Sequence, residues 1–170
     1  VSSDDPSFSV NFRYLEANSE NGSLRAGHYY SLFGNGLSLN AYEERDLRVD
    51  TNLEGIRAFG SRGGFTAKLI AGTTVGGSSE DAERPRNDWI HGADLEWSNW
   101  NWGLTLGASA VRLQPDGDVS PENLEGLRGG FTWSFVDITG DWAQIKRAEE
   151  KDGKGLFVGS NWNLGPLQIL

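Results

Sequence analysis

The sequence predicts an all-β chain of antiparallel strands, and three observations predict it. Apolar residues recur at every second position over many short stretches, the connections between those stretches are alternately brief and long, and aromatic residues gather beside the brief ones. The composition agrees: among 170 residues only 37% are hydrophobic, yet there are 23 glycines and 7 tryptophans. A soluble core of this size draws on more Leu, Ile and Val. Aromatic residues spread along the whole chain argue against disorder.

Taken in order, Phe8–Glu16 sets Phe8, Val10, Phe12 and Tyr14 on one face against Ser9, Asn11 and Arg13. The stretch Leu24–Asp50 is less regular. Leu24, Ala26, His28, Tyr30 and Leu32 alternate, Gly34-Asn35-Gly36 interrupts, and Leu37, Leu39 and Ala41 alternate again. Glycines so placed predict a bulge or bend, giving either one kinked strand or two shorter ones. In Phe65–Gly72, Phe65, Ala67, Leu69 and Ala71 oppose Thr66, Lys68 and Gly72, with Ile70 breaking the polar face. Trp89–Trp97 sets His91, Ala93, Leu95 and Trp97 against Gly92, Asp94 and Glu96. Trp102–Val111 sets Trp102, Leu104, Leu106, Ala108 and Ala110 against Gly103, Thr105, Gly107 and Ser109. Leu127–Trp133, Val136–Trp142 and Leu156–Trp162 repeat the rhythm, and Leu167 with Ile169 opens one more strand. At about 9–11 residues, such strands suffice to cross a bilayer when tilted.

The brief connections are Ser61–Gly64, Ser98–Asn101, a tight turn near Ser134, and Asn163–Pro166; the long polar ones are Gly76–Asp88, Gln114–Glu122 and Arg147–Lys154. This alternation is what an up-and-down barrel produces, whereas a β-sandwich needs Greek-key crossovers. Phe65, Trp97, Trp100, Trp102, Trp133, Phe135 and Trp162 flank the brief turns and are read as an aromatic girdle at one membrane–water boundary. The expected fold is therefore an antiparallel up-and-down transmembrane β-barrel of about ten strands, or a segment of a larger barrel, with residues 1–170 as one domain. No apolar run approaches the ~20 residues of a membrane-spanning helix. The chain opens at Val1 and reads as a processed or excised segment. Charged residues of the polar face, Arg13, Lys68, Asp94, Glu96, Arg128, Asp137 and Asp141, are the candidates to line the interior.

Gly27-His28-Tyr29-Tyr30-Ser31-Leu32-Phe33-Gly34-Asn35-Gly36-Leu37, then Tyr42-Glu43-Glu44-Arg45-Asp46, then Asp50-Thr51-Asn52-Leu53-Glu54-Gly55, resembles the signature of an uncharacterised family of large bacterial outer-membrane β-barrel proteins. The resemblance is most specific over Gly27–Gly55 and implies a barrel in the outer membrane of a Gram-negative cell; it implies no chemistry. Members of that family are much longer, and many outer-membrane barrels end on an aromatic residue, whereas this chain ends Gln168-Ile169-Leu170.

Little points to catalysis. Without cysteine there is no thiolate ligand or nucleophile, and a net charge of −9 argues against nucleic-acid binding. The motif cluster Tyr42, Glu43, Glu44, Arg45 and Asp46, with Arg48, could be read as a carboxylate pair or cation site. Adjacent carboxylates on a strand point to opposite faces, however, so a charge ladder is the simpler reading. His28 and His91 are the only histidines, and both fall on the face assigned outward. Asp116, Asp118 and Glu122 around Gly117 lack calcium-loop spacing, leaving room only for weak calcium contact. Glu80, Asp81, Glu83, Arg84 and Arg86 read as a solvated loop. No P-loop, dinucleotide fingerprint, nucleophile elbow or HExxH motif is present.

The expected function is that of a non-enzymatic, porin-like channel or envelope scaffold in the bacterial outer membrane, without cofactor or metal. Its partners would be membrane lipid, other envelope proteins or further copies of itself. The competing reading is a soluble, aromatic-rich β-sandwich that binds carbohydrate; a barrel-borne lipid hydrolase ranks third, for want of a Ser–His–acid set.

Overall fold

The computed structural model describes residues 13–44, 49–74, 88–117, 119–148, 151–164 and 167–169. The strands are β1 (Tyr14–Ser19), β2 (Gly22–Tyr29), β3 (Ser31–Phe33), β4 (Leu39–Ala41), β5 (Glu43–Glu44), β6 (Val49–Asp50) and β7 (Leu53–Arg62). There follow β8 (Phe65–Thr74), β9 (Trp89–Asn99), β10 (Leu104–Gln114), β11 (Glu122–Trp133), β12 (Val136–Lys146), β13 (Gly153–Leu164) and β14 (Leu167–Ile169). Ten of them form one antiparallel sheet in the order β1-β2-β7-β8-β9-β10-β11-β12-β13-β14, so every neighbour in space is the next main strand in sequence. Strands β3 and β4 pair as a separate hairpin, as do β5 and β6.

Connection lengths keep the expected alternation. Glu20-Asn21, Gly63-Gly64, residues 100–103, Ser134-Phe135 and residues 165–166 link strands at one end of the sheet; residues 30–52, 75–88, 115–121 and 147–152 link them at the other. The brief turns have local causes. Asn99 Oδ1 accepts from the backbone N–H groups of Asn101 and Trp102 at 3.0 and 3.2 Å, closing an Asx-type turn. Trp102 and Gly103 therefore belong to this turn, and β10 starts at Leu104. Ser134 takes a φ of 34°, the positive value a tight hairpin demands.

Side chains alternate between two faces of unlike character. One face is open to the surroundings and carries Leu24, Ile56, Leu69, Leu95, Leu106, Leu127, Phe131, Ile138, Leu156 and Val158; Leu69 is 57% exposed and Leu156 73%. Its charged residues, such as Arg112, Glu125, Lys146 and Lys154, lie toward the long-connection ends of their strands. The other face carries Lys68, Asp94, Glu96, Thr105, Ser109, Arg128 and Asp141 in cross-strand register. The β3–β4 hairpin folds back onto it. The covered face thus combines these polar residues with a small apolar core, while the bare face is largely apolar.

Several expectations shift in the structure. The run Leu24–Leu32 is not one strand: β2 ends at Tyr29, Tyr30 stands between strands, and β3 begins at Ser31. Two short strands, β3 and β4, rather than one kinked strand, flank Gly34-Asn35-Gly36, and the still shorter β5 and β6 follow them. On β1 the expected facing is reversed. Tyr14 lies on the covered face, with the Arg25 guanidinium 4.1 Å from its ring centre, while Leu15 points out at 78% exposure. Residues Phe8–Phe12 lie outside the described residues. Strand β7 was concealed from the alternation by Phe59, which sits on the covered face, and by Glu54, which sits on the other. Ile70, the apparent defect in β8, belongs to a small core of Tyr29, Phe33, Leu39, Ala41, Leu53, Ile90 and Val111 at the long-connection end of the covered face.

Candidate functional site: the hairpin-covered polar face

The site begins with the sequence signature. Tyr29, the last residue of β2, and Phe33, the last of β3, are both fully buried in the core and hold the chain there on either side of Ser31-Leu32. Phe33 reaches the sheet because position 92 is glycine: a Cβ there would meet Phe33 Cε2 at 2.8 Å and Ile70 Cγ1 at 3.0 Å. Beyond the core, polar groups hold the hairpin. Lys68 Nζ donates to the Leu32 carbonyl at 2.9 Å and Arg57 Nη1 to the Tyr30 carbonyl at 3.1 Å. The backbone N–H of Asn35 donates to Asp141 Oδ2 at 2.9 Å, and Ser109 Oγ donates to Ser38 Oγ at 2.8 Å.

Under the hairpin tip lies the densest charge of the face. Arg128 grips Asp94 through two hydrogen bonds, Nη1–Oδ1 at 2.6 Å and Nη2–Oδ2 at 3.0 Å, and its Nε donates to Glu96 Oε2 at 2.9 Å. The Asp94 carboxylate is 1% exposed and the Arg128 side chain 10%. Two-pronged contact of this kind suits a planar guanidinium, and burial strengthens it. Gly107, on the neighbouring strand, leaves the space: a Cβ there would stand 2.5 Å from the guanidinium carbon. Two recesses open beside the hairpin. One, of about 370 Å³, lies between β3 and strands β2, β7 and β8; the other, of about 220 Å³, lies by Gly34, Asn35, Thr105, Arg128 and Thr139.

Of the interior candidates, Lys68, Asp94, Glu96, Arg128, Asp137 and Asp141 share the covered face by register. Arg13 does not. It stands opposite His28, whose N–H donates to its carbonyl at 2.8 Å, and it pairs with Glu54 at 3.3 Å on the other face. The cause is the reversed facing of β1. Tyr42 is exposed beside Thr51, whose Oγ1 both accepts from the Tyr42 N–H and donates to its carbonyl. Glu43 and Glu44 form β5, but their side chains, with Arg45 and Asp46, lie outside the described residues, as does Asp118. His28 and His91 are on β2 and β9, with two strands between them, and are not brought together. Among the described residues no group of three or more His, Asp or Glu side chains is placed to hold a metal ion.

The girdle candidates gather at the brief-turn end. Phe65 stands opposite Trp97, Phe135 packs on Trp162 at 6.4 Å between ring centres, and Trp100, the most exposed, is 92% open. Sequence reasoning passed over two features. Trp89 sits at the far end of β9 on the same open face, stacked on His91 at 6.1 Å. Arg57 and Phe59 line the larger recess; the alternation of β7 would have revealed them once Phe59 was allowed on the polar face.

A family sequence pattern matches residues 6–132, about three quarters of the chain, including the hairpin and the strands carrying the Arg128–Asp94 grip. The chain belongs to DUF6029, a family of unknown function. No curated protein matches, nor does any solved structure. Membership in DUF6029 therefore brings no activity with it.

Proposed function

We propose that the chain supplies membrane-spanning strands of an outer-membrane β-barrel, acting as a porin-like channel or envelope scaffold rather than as a catalyst. One observation carries this reading: rows of Leu, Ile, Phe and Val lie bare on one face while charged and hydroxyl side chains lie on the face the hairpin covers. Water would penalise that arrangement at about 25 cal/mol per Å² of exposed apolar surface, whereas hydrocarbon would favour it. A soluble sandwich would need a second sheet over the apolar rows, and among the described residues none lies there.

The dimensions support the same reading. On β9, Trp89 and Trp97 bracket the open-face run His91, Ala93 and Leu95. The eight residue steps between them span roughly 27 Å, or about 20 Å of depth at the usual barrel tilt, close to the apolar band of such barrels. Interiors of these barrels are polar and are often narrowed by an inward-folded loop, the part the β3–β4 hairpin would play. The sheet has β1 and β14 at its edges. In a bilayer both must be paired, since each bare backbone group in hydrocarbon costs several kcal/mol. Pairing with each other, with further strands or with another copy would meet that need.

Reconstitution into vesicles carrying brominated acyl chains tests the proposal. Tryptophan emission should be quenched, most strongly by bromines placed near the headgroups, where the girdle residues would sit. A folded monomer in detergent-free buffer, whose emission such vesicles leave untouched, would overturn it.

A further inference from the structure

On a chain of net charge −9, the larger recess beside the hairpin concentrates positive charge. Arg57 and Lys68 line it together with Phe59, Leu32, Ser23 and Ser31. Arg25 stands directly opposite Arg57 in the β2–β7 pairing, and like charges so placed repel. Glu16 answers Arg25 through an ion pair. Asp94, which faces Lys68 across β8 and β9, has both carboxylate oxygens engaged by Arg128. Arg57 and Lys68 themselves donate to neutral carbonyls, those of Tyr30 and Leu32. Arg57 Nε is buried with no hydrogen-bond partner. Among the described residues no carboxylate forms an ion pair with either cation of the recess, although Glu16 also lies within electrostatic range of Arg57; beside the two cations stand two apolar side chains, Phe59 and Leu32, each more than a third exposed.

We propose that this recess binds a small organic acid. Its oxyanion group bridges the Arg57 guanidinium and the Lys68 ammonium, and its apolar body lies against Phe59 and Leu32. A guanidinium presents its donors as a planar fork suited to an oxyanion, and the ammonium adds a second point charge. The site lies between the hairpin and the sheet, so it stands or falls independently of membrane placement.

The test titrates the folded chain in detergent with sodium benzoate, followed by calorimetry, with benzyl alcohol as the uncharged control. Benzoate should saturate one site and benzyl alcohol should not, and added salt should weaken the binding. Arg57→Gln and Lys68→Gln should each weaken benzoate by roughly tenfold or more, the loss of a charge-assisted hydrogen bond. Equal binding of benzoate and benzyl alcohol, or benzoate binding unaltered in both variants, would overturn the proposal. Should a glutamine variant fail to fold, the two ligands and the salt series on the unsubstituted chain still decide it.

Discussion

Placing an arginine at Leu69 separates a lipid-facing sheet from a water-facing one. Leu69 sits midway along β8, 57% exposed, flanked across the strands by Ala58 and Ala93. Its open-face neighbours along β8 run from Phe65 at the brief-turn end to Thr73 at the other end. If the face meets hydrocarbon, Leu69 lies near the middle of the apolar band, and Leu69→Arg costs about 2–4 kcal/mol. That is a roughly 30- to 700-fold loss in the folding constant. If the face meets water, an exposed leucine changed to arginine stays within about 0.5 kcal/mol. The assay is denaturant unfolding from vesicles followed by tryptophan emission, with Phe65→Arg as a depth control expected to cost only about 0–1 kcal/mol. Equal midpoints for Leu69→Arg and the unsubstituted chain would refute the reasoning, and so would a Phe65→Arg penalty larger than that of Leu69→Arg.

Three further outcomes are expected. Asp94→Asn leaves Arg128 without its main carboxylate in a buried setting and should destabilise by about 3–5 kcal/mol, while Asp94→Leu combined with Arg128→Leu should recover most of that loss; a denaturant series on the three proteins checks both. Gly92→Ala puts a methyl group against the Phe33 ring and should unseat the hairpin, read as faster protease cleavage within residues 31–41 with the main sheet's circular dichroism kept. Ser38→Cys with Ser109→Cys should form a disulfide on mild oxidation, because the two hydroxyl oxygens are already 2.8 Å apart; a free-thiol count unchanged after oxidation would show the hairpin does not rest there.

Much of this architecture was legible in the chain because a strand writes its facing into every second residue. The presence and order of β8 to β13, the taking of turns between brief and long connections, and the shared face of Lys68, Asp94, Glu96, Arg128, Asp137 and Asp141 all follow from that period, though not the strand ends, which lie up to five residues away. Where the rule misled, contacts from distant sequence were responsible. Ile70 looked like an error in a polar face until Phe33 of the hairpin, 37 positions earlier, was found against it. Tyr14 looked apolar and outward, but its ring serves as a platform for Arg25 on the polar face. Arg13 was displaced from the expected interior by the same one-residue shift in facing.

Local pattern alone determined that this is an antiparallel β chain with an apolar row and a polar row, since side-chain alternation and turn chemistry act between near neighbours. It could not determine that the Ser31–Ala41 hairpin leaves the sheet and lies across its polar face, nor that Arg128 would clasp Asp94 beneath it. Those arrangements depend on hydrogen bonds and packing between residues some 30 to 100 positions apart, and nothing local to either partner encodes the distance that closes them.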